Sequence, residues 1–336
     1  MKISIRNFNL DIIRCIAIAF VICIHSMGKL NDNVEIPTSD INYIMYLFLS
    51  SIIYMGVPLF VMLSGALLIG KSEAPQIFLK KRLKRILIPF LIWSIIVFCL
   101  DKITNHQTFD IIQSITDFSV KFLTSGVHGI YWYIYMLIGL YLLTPILQKV
   151  FKDISPSLRN YLIIVITLSI IIQHIVPHIY VEKSIFFKYS FPYLIYIGYY
   201  IGGYYFYAYA NKTKKFRKIT ICGFLVFYLI GIINTIKPFT TFPIQFFQSL
   251  FFFGILLSTK IKASGNKLNT FITFISNTSY GIYLSHFLFI SILYKIGLEQ
   301  AVPIYSVPII TTLSVLCIEI GLQYGIKYFK LEKLLQ

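Results

Sequence analysis

Charge is what this sequence has least of. Only 13% of its 336 residues are Asp, Glu, Lys or Arg, about half the share of a soluble domain. Hydrophobic residues make up 57%, and the mean hydropathy is +0.76. That much apolar surface does not fit inside one globular core, so a soluble enzyme is excluded and a polytopic membrane protein is expected. Acidic residues are scarcer still, 13 against 30 basic, which leaves a net charge of +17. The number alone would suit a nucleic-acid binder. The lysines and arginines, however, fall in short clusters between apolar runs, as in loops facing an anionic leaflet, so no nucleic-acid partner is expected. Cysteines number five (Cys15, Cys23, Cys99, Cys222 and Cys317), all within or beside apolar stretches and without a CxxC spacing. Neither a disulfide framework nor a zinc site is indicated. His174 and His178 have i, i+4 spacing, but Pro177 lies between them and no carboxylate completes a set, so no metal is expected.

What the chain does have is long apolar runs. Windows of about 20 apolar residues occur at roughly 10–28, 50–70, 86–104, 130–150, 158–177, 190–210, 219–236, 243–259, 277–294 and 304–326. The expected fold is an all-α integral membrane bundle of about ten transmembrane helices, forming a single domain over 1–336. Segment 41–49 reads as an interfacial helix leading into the second span, and 108–125 as a helix lying along the opposite surface. Lys2 and Arg6 before an apolar run resemble a signal peptide. The run contains Asp11 and Arg14 and no small-residue cleavage site, so it reads as a retained first helix. If both termini lie inside, 22 of the 30 Lys and Arg residues share one face. That asymmetry predicts cytoplasmic termini.

Ionisable residues inside such spans cost free energy and usually mark function. An arginine near the middle of a bilayer helix costs about 2.5–3.5 kcal/mol on insertion scales. In "RCIAIAFVICIHS", Arg14 and His25 are separated by ten apolar residues. Eleven helical steps of about 100° bring them to one face, about 16 Å apart along the axis. Asp11, three residues before Arg14, is placed to pair with it. The spacing leaves two readings open. One is a charged inner station with a proton-transferring outer station. The other is an Asp–Arg anchor plus a histidine at a helix end.

Other residues divide in the same way. His286, on a helix running in the same direction as the first, should lie at a depth similar to His25, with Ser279 two turns back on its face. It reads as a second acid/base or as a hydrogen-bonded interior histidine. Ser64 and Gly65 suit close helix packing. Trp132 and Tyr133 read as surface anchors or as the entrance of a site, where a ring can stack on a sugar. Glu319, with Gln323 one turn on, is a carboxylate well inside a span, a substrate-contact candidate by default. His106, His128, His174 and His178 fall near outer span ends and are expected to be solvated.

Four stretches also resemble one family, in the right order: "LDIIRCIAIAFVICIH" (10–25), "GVPLFVMLSGALL" (56–68), "YWYIYMLIGLYLLTPIL" (131–147) and "SNTSYGIYLSH" (276–286). They are similar to the motifs of the membrane-bound acyltransferase-3 family, and the expected relatives are its short, roughly ten-span members. Because the sequence runs to Gln336, no fused hydrolase-like domain is expected. The resemblance implies transfer of an acyl group, most often acetyl from acetyl-CoA, to a hydroxyl of a surface polysaccharide or its lipid-linked precursor. It implies a multi-pass protein of the bacterial inner (plasma) membrane, acyl-CoA as donor substrate, and no permanently bound cofactor. By carry-over, Arg14 and His25 form the essential pair. The family's Arg-x-x-x-Arg motif falls on "KKRLKR", giving Lys81-x-x-x-Arg85 or Arg82-x-x-Arg85. With Arg14, these residues would meet the CoA phosphates, and the cluster 212–218 is a second candidate. The competing class is a transporter or flippase of a glycan or glycolipid, which would tend to show repeat-related broken spans; none is evident in the sequence.

Overall fold

The computed structural model describes residues 7–33, 41–106, 110–124, 126–179, 194–210, 214–236, 243–259 and 267–336. All regular structure among them is helical. In chain order the helices are α1 (Phe8–Asn33), α2 (Ile41–Ile53), α3 (Gly56–Leu68), α4 (Pro75–Thr104), α5 (Ile111–Thr124), α6 (Trp132–Asp153) and α7 (Pro156–Ile179). There follow α8 (Leu194–Tyr209), α9 (Lys214–Ile236), α10 (Ile244–Ser258), α11 (Lys267–Lys295), α12 (Leu298–Ala301), α13 (Val307–Tyr328) and α14 (Glu332–Leu335). Short 3-10 turns precede α6 and α13.

Among the described residues, six stretches are long and apolar enough to cross a membrane: Phe8–Asp32, Met45–Leu68, Pro75–Thr104, Gly129–Asp153, Lys215–Asn234 and Ile304–Tyr328. α11 is 29 residues long yet is not among them. Its middle carries Ser276, Asn277, Thr278, Ser279, Ser285 and His286, which lower its hydropathy. α10 has 15 residues, about 22 Å of helix, short of the hydrocarbon thickness of about 30 Å.

Helix boundaries depart from the sequence reading in two places. The second span is broken at Tyr54–Met55, between α2 and α3. The break follows from Pro58, which has no N–H for the carbonyl of Tyr54. Gln245 Nε2 donates to that carbonyl at 3.0 Å, and Gln248 Nε2 to Ser51 O at 2.9 Å. The amides of α10 thus satisfy backbone groups that lipid cannot. The second departure is the basic cluster 80–85, which lies within the first turns of α4 rather than in a loop.

α1 is the central helix, packed against α3, α10, α11 and α13. Its Ile13, Ala17, Ile18, Val21 and Ile22 have 0–1% exposure. Asn9 fixes its start: the side-chain amide donates to Leu256 O, Leu257 O and Thr259 O, the end carbonyls of α10. α3 and α8 are in closest approach, through reciprocal glycines. A Cβ on Gly65 would stand 1.8 Å from Tyr200 O, and one on Gly203 would stand 2.1 Å from Met62 O. Close packing, as expected at Gly65, is what its position requires. α5 lies beside the end of α4, tied by Lys102 to Ser114 (2.9 Å) and Asp117 (3.4 Å). Its Ile111, Ile112, Ile115 and Leu123 are exposed. α14 folds back onto α4, and Trp93 Nε1 donates to Leu335 O at 3.2 Å.

Candidate active site

The helix periods put polar residues along one internal seam. On α1, Leu10, Asp11 and Arg14 share a face. On α3, Phe60, Leu63, Ser64, Leu67 and Leu68 do so, and Lys71 continues their line. On α11, Ser276, Ser279, Tyr280 and Tyr283 follow the i, i+3, i+4, i+7 pattern. These faces, with Arg82 and Arg85 of α4, Tyr133 and Tyr141 of α6, and Tyr207 of α8, enclose a cavity of about 510 Å³. That volume is within the usual range for small-molecule sites, about 300–1,000 Å³.

One end of the cavity is cationic. Arg14 Nη1 lies 3.4 Å from Asp11 Oδ1 and 3.3 Å from Ser276 Oγ, and Ser276 donates to the same carboxylate oxygen at 2.7 Å. Asp11 is buried, whereas the Arg14 side chain keeps 28% of its exposure. Arg82 sits over the Phe78 ring at 5.8 Å, and its Nε has no hydrogen-bond partner among the described residues. Partial burial, and then the Arg82 charge, draws Lys71 below the ordinary lysine range, against the opposing pull of Glu73. Arg14, Lys71, Arg82 and Arg85 thus put four cationic side chains on one cavity.

At the far end the lining stops at Tyr133 and Tyr283, whose rings are 5.3 Å apart. One turn beyond Tyr283 is His286, fully buried, with Tyr283 and His286 rings 5.8 Å apart. His286 Nδ1 hydrogen-bonds Tyr283 O at 2.7 Å, and its Nε2 has no partner among the described residues. The ring of His25 lies 5.3 Å from that of His286. Two histidines from α1 and α11, 261 positions apart in sequence, therefore meet at one depth. His25 stands about 16 Å along α1 from Arg14.

Other singled-out residues lie elsewhere. Lys81 is exposed and outside the cavity lining, as is Trp132, which is 41% exposed and packs on Tyr196 at 5.5 Å. Glu319 is also outside the lining. It is fully buried, accepts from Ser285 Oγ at 2.6 Å and receives Gln323 Nε2 at 3.2 Å. His106 is exposed, with φ of +51°. The side chains of His174 and His178, and residues 212 and 213 of the second basic cluster, lie outside the described residues. His128 is a correction: it is part-buried, not fully solvated, and stacks on Phe287 at 4.0 Å.

Sequence reasoning overlooked Lys71, Tyr141 and Tyr283 as site residues. The signal for Lys71 was its spacing of seven from Ser64. For Tyr283 it was the 3–4 periodicity that leads from Ser276 to His286.

These features define an internal polar site in a helical membrane protein. The acyltransferase-3 family model, an acyltransferase domain, matches residues 7–320, so the chain belongs to that family and is a membrane acyltransferase. No curated protein and no solved structure matches the chain.

Proposed function

We propose that this protein is an O-acyltransferase that takes an acyl group, most often acetyl, from cytoplasmic acyl-CoA. It passes the group to a hydroxyl of a surface polysaccharide or its lipid-linked precursor. The observation that carries this reading is the cavity itself. Four cations at one end suit the phosphates of CoA, and the histidine pair just beyond the tyrosine end suits proton transfer from a hydroxyl. The pantetheine arm, extended, is of the order of the 16 Å between Arg14 and His25.

In the reaction, the acceptor oxygen attacks the thioester carbonyl. The C–O bond forms, the C–S bond breaks, and the hydroxyl proton passes through histidine to the departing thiolate. His25 acts as the base, and His286 holds or assists it. Arg82 and Arg85 would serve the donor and Tyr133 the acceptor side; Lys81, Trp132 and Glu319, outside the cavity lining, would support them. The short, ten-span members of the family, such as the enterobacterial common antigen O-acetyltransferase, are the expected functional relatives. The reading takes ten spans, both termini in the cytoplasm, and the inner membrane of a bacterium.

A transporter or flippase is the other class. Its unwound helices commonly expose backbone to the substrate. Here the carbonyls of Ser51 and Tyr54 freed at the α2–α3 break are taken by Gln245 and Gln248, which favours the enzyme. Mass spectrometry of surface glycans from cells with and without the gene tests the proposal. An acetyl-sized difference is expected; identical glycans would refute it.

A further inference from the structure

His128 precedes the 3-10 turn Gly129–Tyr131, and its side chain caps that turn by accepting from Ile130 N at 3.4 Å through Nδ1. Two tyrosines bolt the turn to α11 in both directions. Tyr131 Oη donates to Leu284 O at 3.0 Å, and Tyr283 Oη donates to Ile130 O. Tyr283 and Leu284 stand one turn before Phe287 on α11, so the bolts fix the His128 turn against the helix that carries the site. Its ring stacks on Phe287 at 4.0 Å, and Phe287 touches the His286 ring edge-on at 6.3 Å. His128 is not part of the cationic cavity's lining; its link to the histidine pair runs through Phe287.

The cap decides the tautomer. A neutral imidazole has one acceptor nitrogen and one N–H. With Nδ1 accepting, the hydrogen sits on Nε2, which has no hydrogen-bond partner among the described residues. Burial keeps the ring below the ordinary histidine range, against the pull of Asp101, so it remains an uncharged donor at neutral pH.

Building on the acyl-transfer reading above, we propose that His128 is the acceptor-binding residue of this site. Its Nε2–H donates to a hydroxyl or ring oxygen of the incoming sugar and holds the attacking hydroxyl against the His25–His286 pair. A neutral donor suits an uncharged, polyhydroxylated ring. The donor cavity and the acceptor site then meet at the histidines.

Two substitutions separate this role from scaffolding. His128→Asn keeps a side chain that caps a turn well but shortens the reach and loses the ring. His128→Phe keeps the stack on Phe287 but has no donor. Purified protein in nanodiscs is given saturating [1-14C]acetyl-CoA and increasing amounts of glycan extracted from the same cells, and labelled glycan is counted. Both variants should raise the half-saturating glycan concentration about tenfold, the scale of one lost hydrogen bond, with binding of tritiated CoA unchanged. Wild-type half-saturation in either variant would overturn the inference, because cap or stack alone would then suffice. A parallel loss of CoA binding would overturn it too, since that marks a purely structural role. Absence of labelled glycan with the unaltered protein would strike at the acyl-transfer reading itself; labelled glycan with indifferent His128 variants strikes at this inference alone.

Discussion

On the proposed function, replacing Arg14 with alanine separates two roles of one side chain. The first is donor recognition. The guanidinium keeps 28% of its exposure and lines the cavity beside Lys71, Arg82 and Arg85. A charge-assisted hydrogen bond to a phosphate contributes about 1.5–3 kcal/mol. At about 1.4 kcal/mol per tenfold, Arg14→Ala should weaken acyl-CoA binding roughly 10- to 100-fold. Arg14→Lys keeps the charge but loses the planar fork, and should fall between the two. The second role is to neutralise Asp11. That carboxylate is 1% exposed and would lose the Arg14 charge while keeping its 2.7 Å bond from Ser276. Removing one partner of a fully buried pair costs about 3–5 kcal/mol. This pair is long, at 3.4 Å, and its cation is partly exposed, so about 1–3 kcal/mol is expected. A double variant, Asp11→Asn with Arg14→Ala, should recover thermal stability without recovering binding. The assays are CoA titration by calorimetry and melting in detergent. If Arg14→Ala binds CoA like the wild type, the donor role is wrong and Arg14 is only the structural partner of Asp11.

Four further outcomes are expected. His25→Ala should bind CoA normally and transfer no label from acetyl-CoA; near-normal transfer would remove it from the mechanism. Lys71, held below the ordinary lysine range by burial and by Arg82, attracts phosphate only while protonated. Affinity for adenosine 3′,5′-bisphosphate should therefore fall as pH rises, starting below the usual lysine titration; Lys71→Arg should flatten the curve, and an unchanged curve would discharge Lys71. Gly203→Ala places a Cβ 2.1 Å from Met62 O, and should cost at least the 1–3 kcal/mol typical of overpacking. Gly139→Ala, with nothing within 4 Å, is the control, and equal melting of the two would refute the close approach of α3 and α8. Reporter fusions after Lys215 and after Gln336 should both report cytoplasm, and one near Glu182 the far side; the reverse at both inner sites would invert the orientation.

Much of this was legible in the sequence because a bilayer leaves the chain few options. Backbone groups must be paired within helices, so apolar length announced most spans, and period 3.6 placed Arg14 and His25 on one face. The common depth of His25 and His286 follows from helix direction and position, and their rings lie 5.3 Å apart. α11 carries a weaker apolar signal. The polar residues that build the site also dilute its hydropathy, so the motif carries that element where the apolar signal is faint. Tertiary detail was less accessible. Nothing local foretold that Gln245 and Gln248 would serve the α2–α3 break, since the need arises from Pro58, nearly two hundred residues away.

The misreading of His128 has the same origin, and it shows what sequence position alone leaves out. A histidine beside two glycines, just ahead of a span, has no periodic neighbours to argue for burial. Its surroundings come from Tyr131, Tyr283 and Phe287, which meet where the turn before α6 is held against α11. The bolts linking Tyr131 to Leu284 and Tyr283 to Ile130 make the turn's position a consequence of its contacts with α11, not of its own sequence. Tyr283 therefore serves twice, closing the cationic cavity with its ring and anchoring the His128 turn with its hydroxyl. Any motion of Tyr283 that opens this end of the cavity must also strain or release the turn that carries His128. This one side chain links the cationic cavity to the His128 turn.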